Sequence, residues 1–404
     1  FFMLSLKLSN VGQLVTYNAE TMDMAVRDNV EIVIEGHQVT EVGQDLGDAD
    51  TVLDCKEKLV TPGFVDPHTH PVFLDGREDE FAMRSQGATY EQIAAAGGGI
   101  VKSIEGVRNA SEAELISRVE ARMDRCLKLG TTTVECKSGY GLNKESELKS
   151  LKVIDEVNQS HDIDLIATFM GAHAFPPEFK DKHADYVDLI CDDMIPEVEK
   201  QGIAIFNDVF CENGYFTLEQ TRRILNTGSK HGLVPRIHAD EFEDSGAAEL
   251  AGETNSISAD HLMAVSDKGI QTMTENNVIA TLLPGTTFFL GKSTYAPYEK
   301  FKKAGVDVAL ATDYNPGSCH IQSMPFILSL ACIYMKMPVL DAIKAGTYTA
   351  AKSLLLEDEI GSIEPGKKAD ILVWNIQRAV QIPYLVSDHP IHSVLKNGYP
   401  VFTA

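Results

Sequence analysis

Eight apolar strand-like stretches alternate with helical ones along this chain. They predict an α/β protein, a (β/α)8 TIM-like barrel with a small β-sandwich-like domain formed from both termini. Three observations support the prediction. Strand candidates recur at 63–67, 131–137, 164–171, 204–211, 234–240, 256–261, 278–283 and 306–313. Helical patterns fill the gaps between them. Short, turn-punctuated β patterns are confined to the two ends. An open doubly wound sheet is the alternative compatible with the same alternation.

Residues 3–60 carry the pieces LVTYNA, VEIVIEG, TEVGQ and TVLDC, and residues 361–404 begin GSIEPGKKADILVWN and continue alike. Neither end is long enough for a comfortable core of its own, so the two are expected to pack together. The expected division is a β domain from 1–61 and 358–404 around a barrel spanning 62–357. Within the barrel, Ser111-Glu-Ala-Glu114 is a capping-box signature opening a helix to about Lys128. Further helices are expected over Thr217–Lys230, Ser245–Gly252, Asp267–Asn276 and Met324–Lys336. The span 70–110 reads as a long first βα loop, flexible at Ala94-Ala-Ala-Gly-Gly-Gly99.

Composition narrows the function. Hydrophobic residues make up 44% of the 404 and charged residues 23%, as in ordinary globular proteins. Lys and Arg total 35 against 59 Asp and Glu, a formal net charge of −24. Such a surface repels phosphate backbones and anionic membranes, so no nucleic-acid or membrane partner is expected. An anionic substrate would need a local basic group. The seven cysteines are odd in number and form no C-x-x-C, which fits reduced thiols and a cytoplasmic location. No apolar run reaches about 18 residues, and no signal peptide is expected at the N-terminus.

The chemistry-bearing residues sit at strand ends. In Gly63-Phe-Val-Asp-Pro-His68-Thr-His70, two imidazoles two residues apart on an extended segment point the same way and can reach one metal ion. An isolated H-x-H is a weak motif, and a lone strand-end histidine is more often structural. His238 closes one strand candidate, with Asp240 and Glu241 just beyond; His261 closes another; His173 follows Phe169-Met-Gly-Ala172. Asp313 closes a third, where an Asp alone is commonly a helix N-cap. The coincidence carries the weight: barrel enzymes keep their sites at the C-terminal strand ends, and His with Asp binds zinc or iron. Such an ion brings the pKa of a bound water to about 7. Glu241 is placed to shuttle a proton, and His261 or His173 to polarise a carbonyl.

The chain also carries PGFVDPHTH at 62–70, GREDEF at 76–81, KSGYGL at 137–142, GAHAFP at 171–176, DVFCE at 208–212, HADEF at 238–242, SADHL at 258–262 and ATDYNPGS at 311–318. With these it resembles the amidohydrolase superfamily and, within it, the imidazolonepropionase family. The terminal IGSIEPGKKADILVW at 360–374 matches the superfamily generally. The resemblance implies hydrolysis of the cyclic amide of 4-imidazolone-5-propanoate to N-formimidoyl-L-glutamate. It assigns His68, His70, His238 and Asp313 to one divalent or trivalent metal, zinc or iron. It assigns Arg77, Tyr90, Tyr140, His173, Glu241, Asn315, Gly317 and Ser318 to a small anionic substrate. His261 looks like the catalytic histidine of the sixth barrel strand, with Glu241 and Asp313 handling protons. A homodimer is the expected assembly.

These assignments make physical sense. An Arg fork matches a carboxylate, although Arg77 stands beside Glu78, Asp79 and Glu80 and alone would read as surface charge. Gly139 and Gly141 suit a tight loop presenting Tyr140, and Gly317 allows close backbone approach. Three features depart from the expected pattern. Pro67 precedes the first histidine and restricts Asp66 to extended geometry. Cys319-His320 stands where a smaller, more polar pair is expected, and is read as altering contacts at the far end of the substrate. No lysine ends the fourth barrel strand, so a single metal is expected; Glu212 ends it instead, as a supporting group or a ligand. Deamination of a cyclic amidine is the nearest rival reaction, and a noncatalytic barrel the rival of another class.

Overall fold

The structure is a computed structural model and describes residues 5–88, 92 and 98–404. Parallel strands β5 (Phe64–Thr69), β6 (Thr131–Lys137), β7 (Asp164–Ala172), β8 (Phe206–Cys211), β9 (Val234–Ala239), β10 (Ser258–His261), β11 (Ile279–Leu282) and β12 (Val308–Leu310) form one eight-stranded sheet in sequential order. The first and last strands meet through a parallel bridge between Thr69 and Tyr314 and the bonds Asp313 N–H to His68 O (3.1 Å) and His70 N–H to Tyr314 O (2.8 Å). The sheet is therefore a nearly closed barrel, not an open one. Its strands are buried on both faces, which is why they read as apolar runs rather than alternating ones.

The outer helices begin where their sequences say they should. Ser111 and Glu114 form the complete capping box of Glu112–Lys128, and Thr217 with Gln220 does the same for Leu218–Lys230. Two differences from expectation concern length. The stretch read as one long loop after β5 contains helices Glu78–Ser85 and Ile100–Asn109. The first lacks an apolar period, but Glu78, Asp79 and Glu80 occupy its first turn, where the helix dipole favours carboxylates. The strand expected to reach Asp313 ends at Leu310, because the chain turns into a left-handed conformation at Asp313 (φ 53°).

Both termini build one seven-stranded sheet: β15 (Tyr399–Thr403), β14 (Ile391–Lys396), β13 (Ile371–Trp374), β4 (Thr51–Pro62), β1 (Ser5–Asn18), β2 (Asp23–Glu35) and β3 (Gln38–Gly43), in that order. β1 is 14 residues long, more than its sequence pattern suggests, because a bulge between Leu8 and Val11 interrupts the alternation. Leu8, Leu14, Ile32, Val60, Ile371 and Leu395 give this sheet a core of its own. Trp374 donates its indole N–H to Thr61 Oγ1 at 2.9 Å, joining the two ends. The sheet also packs directly on the barrel. A Cβ at Gly130 (φ 89°), before β6, would lie 2.8 Å from Ile391 Cδ1 and 2.9 Å from Leu372 Cδ1. Among the described residues no helix is long and apolar enough to cross a membrane.

Candidate metal centre

Extended backbone projects His68 and His70 from the C-terminal end of β5, and β9, β10 and the turn after β12 bring His238, His261 and Asp313 to the same end. One donor atom from each of His68, His70 and Asp313 lies within 4.8 Å of the others, and the same holds for His68, His238 and His261. His68 Nε2 and His70 Nε2 are 3.3 Å apart, and each is 3.5 Å from Asp313 Oδ1. The backbone here is strained: His261 has φ 81°, Asp313 φ 53° and Asp240 φ 49°, all rare for residues with a side chain.

Supporting carboxylates fix the rings. His68 Nδ1–H donates to Asp260 Oδ2 at 2.6 Å, and His238 Nδ1–H to Asp208 Oδ1 at 3.0 Å. Each bond leaves the Nε2 lone pair facing the cluster, the usual arrangement for a metal-bound imidazole. Burial, then the charges of Lys137 and the other imidazoles, holds His68 well below the ordinary histidine range. Burial and His238 do the same to His70, whose Nδ1 has no partner among the described residues. Two neutral imidazole nitrogens facing each other at 3.3 Å, beside a buried carboxylate, are a donor set that a cation resolves. These residues fit a metal ion.

Beneath them lies a buried charge network. Lys137 Nζ is 2.7 Å from Glu135 Oε1 and 2.9 Å from Asp208 Oδ2, all three side chains being fully inaccessible. Glu135 also accepts from the backbone N–H of Thr69, between the two histidines, at 3.2 Å. Arg236, 3.4 Å from Asp260, donates to the carbonyls of Pro67 and Ser353 at 2.9 Å each. A continuous chain of contacts therefore runs from the His68–His70 segment through Glu135, Lys137 and Asp208 to His238.

Above the cluster opens a cavity of about 500 Å³. His70, Arg77, Tyr140, His173, His238, Glu241, His261, Asp313, Asn315, Gly317 and Ser318 all line it; His68 lies beneath its floor, and Tyr90 falls outside the described residues. Glu241 Oε2 is 3.7 Å from His261 Nε2. Burial, then the charge of Asp313, pushes the Glu241 carboxyl up to about 8. Glu212 accepts from Phe242 N–H at 2.9 Å and so holds the turn that carries Glu241. His173 donates from Nδ1 to Gly139 O at 2.9 Å and stacks on His70 with ring centroids 4.9 Å apart.

The wall opposite is built by the turn after Asp313. Asn315 Oδ1 accepts the N–H groups of Gly317 (2.8 Å) and Ser318 (2.7 Å), while its Nδ2 donates to Asp313 O (2.7 Å) and Ser318 Oγ (2.9 Å). Asn315 thus organises the turn, and Gly317 presents a bare Cα to Arg77: a Cβ there would lie 2.4 Å from Arg77 Nη1. Arg77 is itself held by Glu80, Nε to Oε1 at 2.8 Å and Nη2 to Oε2 at 2.7 Å. Cys319 and His320 do not line the cavity. The buried Cys319 thiol donates to Thr312 O at 3.2 Å and His320 packs on Tyr314, so the pair meets the cavity wall only through the backbone of Asn315, whose N–H donates to Cys319 O at 2.8 Å.

Asp208, Asp260, Glu135, Lys137 and Arg236, and the cavity-lining cations Arg84 and Lys292, are not singled out by the sequence. DVFCE and SADHL contain the two aspartates, but an acid on a buried barrel strand signals a role only when its partner is known.

The amidohydrolase family matches residues 216–401. The chain is 46% identical over 386 residues to imidazolonepropionase of Geobacillus kaustophilus (strain HTA426), covering 93% of this chain and 91% of the relative. It is 47% identical over the same length to imidazolonepropionase of Geobacillus thermodenitrificans (strain NG80-2), with the same coverage. In fold it is similar to 5-methylcytosine deaminase from Klebsiella pneumoniae, with TM-score 0.76, 15% identity and 98% of each chain covered. It is also similar to a zinc-bound adenosine deaminase from Xanthomonas campestris, with TM-score 0.74, 15% identity, and 100% of this chain and 93% of that one covered. With barrel, terminal sheet and relatives in agreement, this chain belongs to the imidazolonepropionase family of the amidohydrolases.

Proposed function

We propose that this chain hydrolyses the cyclic amide bond of 4-imidazolone-5-propanoate to give N-formimidoyl-L-glutamate, using one metal ion, zinc or iron, held by His68, His70, His238 and Asp313. The observation that carries the reading is that one cavity has the His/Asp donor cluster at its floor and the Arg77 guanidinium on its wall. Ring opening and recognition of an anionic tail require that pairing.

When bound, the ion supplies Lewis acidity and acidifies water to a pKa of about 7. The chain's own residues do the rest. Asp260 and Asp208 keep the Nε2 lone pairs of His68 and His238 turned inward. Glu241, with Asp313, takes a proton from the attacking water and delivers it to the leaving ring nitrogen, being on the cavity lining beside both Asp313 and His261. His261, beside Glu241, stabilises the oxygen of the opening carbonyl. His173 and Tyr140 contact the ring, and Arg77 takes the carboxylate tail. Assaying 4-imidazolone-5-propanoate against cytosine and guanine tests the reading: turnover of the first alone is expected, and deamination of either base without ring opening would overturn it.

The same proposal includes a homodimer in the cytoplasm, with no nucleic-acid partner. The net charge of −24 supports the last point, and seven free cysteines, six of them buried, support a reducing compartment. It also keeps 1–61 and 358–404 as one domain and 62–357 as the other.

A further inference from the structure

Arg77, Glu80 and Arg84 stand at positions i, i+3 and i+7 of one helical segment, so their side chains share a face. That face looks at Gly317. Arg84 Nη2 donates to Gly317 O at 2.9 Å, while Arg77 covers the bare Cα of the same residue. Glu80, buried, takes two nitrogens of Arg77 and the N–H of Gly99 (2.8 Å), and so fixes Arg77 against the cavity wall. Arg84 has no such partner: among the described residues no carboxylate lies within 4.0 Å of its guanidinium. It is half-buried, lies 5.7 Å from the centroid of Phe289, and lines the cavity.

The Arg84 guanidinium on the cavity lining is a local basic group in a chain of net charge −24, and its planar fork matches a carboxylate. Resting on the function proposed above, we propose that Arg84 is a second carboxylate-binding residue of the cavity. It takes the tail carboxylate of the ring substrate together with Arg77, and so selects substrates with an anionic tail.

The test measures binding of imidazole-4-propanoate, which has the tail but no ring carbonyl to hydrolyse, and of its methyl ester, by calorimetry on the metal-loaded protein. KM and kcat on 4-imidazolone-5-propanoate are measured in parallel. The unaltered chain is expected to prefer acid over ester by tenfold or more, the order of a charge-assisted hydrogen bond. Arg84→Met and Arg84→Gln are expected to remove most of that preference, raise KM about tenfold and leave kcat within about twofold; Arg84→Lys restores part of it. Circular dichroism on each variant guards against misfolding. Equal loss for acid and ester would overturn the inference, since Arg84 would then act only by holding Gly317; so would an unaltered chain that binds both equally. An acid preference dependent on Arg84, without turnover of the imidazolone, would uphold the inference while refuting the proposed reaction.

Discussion

His68 Nδ1 lies 2.6 Å from Asp260 Oδ2, and neither side chain has any exposed surface. The two residues are 192 positions apart, on β5 and β10 of the barrel. Asp260 fixes which nitrogen of His68 faces the donor cluster, and it is also the partner of the buried Arg236. Asp260→Asn is expected to weaken metal affinity about 10- to 100-fold while the fold persists. Titrating metal-stripped protein with zinc in competition with a chromogenic chelator measures this. Unchanged affinity would remove Asp260 from any role in orienting the ring.

Glu241 tests the proton path. Glu241→Gln keeps the shape and loses the titratable group. Turnover is expected to fall by about 10²- to 10⁴-fold, the usual contribution of a positioned acid–base group. Metal content, measured by plasma emission, should stay at the level of the unaltered protein, because Glu241 lies outside the proposed ligand set. Near-normal kcat in this variant rules out the assigned role.

Lys137 is an argument about stability. It is the counter-charge of both Glu135 and Asp208 at full burial. Lys137→Met removes the cation that two buried carboxylates share and is expected to destabilise the protein by about 3–5 kcal/mol. Adding Glu135→Gln removes one of those charges and should return part of the loss. Urea denaturation of both variants reads the difference; a double variant no more stable than the single one contradicts the coupling.

Gly317→Ala probes the opposite wall. The added methyl would lie 2.4 Å from Arg77 Nη1, but its obstruction is the end of a long side chain and not backbone. The turn held by Asn315 should therefore still form, with Arg77 displaced from its place between Glu80 and Gly317. KM is expected to rise about tenfold, with little change in the thermal midpoint. A large fall in the midpoint with KM unchanged would show that Gly317 serves the turn alone.

Much of the barrel was legible because parallel strands buried on both faces leave continuous apolar runs, and because His70, His238, His261 and Asp313 sit at or just beyond their C-terminal ends. The caps at Ser111 and Thr217 were equally plain, since a capping box is written within four residues. What escaped depends on partners distant in sequence. Asp260 means nothing until β10 is set against His68, and Lys137, two residues after Glu135 on β6, means nothing until β8 brings Asp208 against it. Asp313 was read as the last residue of a strand because the left-handed turn that places it leaves no mark on hydropathy. Arg84 was hidden in an acidic stretch, and the shared face of 77, 80 and 84 becomes visible only once Glu78–Ser85 is known to be a helix.

The central claim is that the His/Asp cluster acts on the imidazolone ring through one bound ion. It is tested most directly by following turnover of 4-imidazolone-5-propanoate before and after chelation, and again on adding back zinc or iron. Turnover should disappear with the metal and return at one equivalent per chain. Full turnover by metal-free protein would contradict the account.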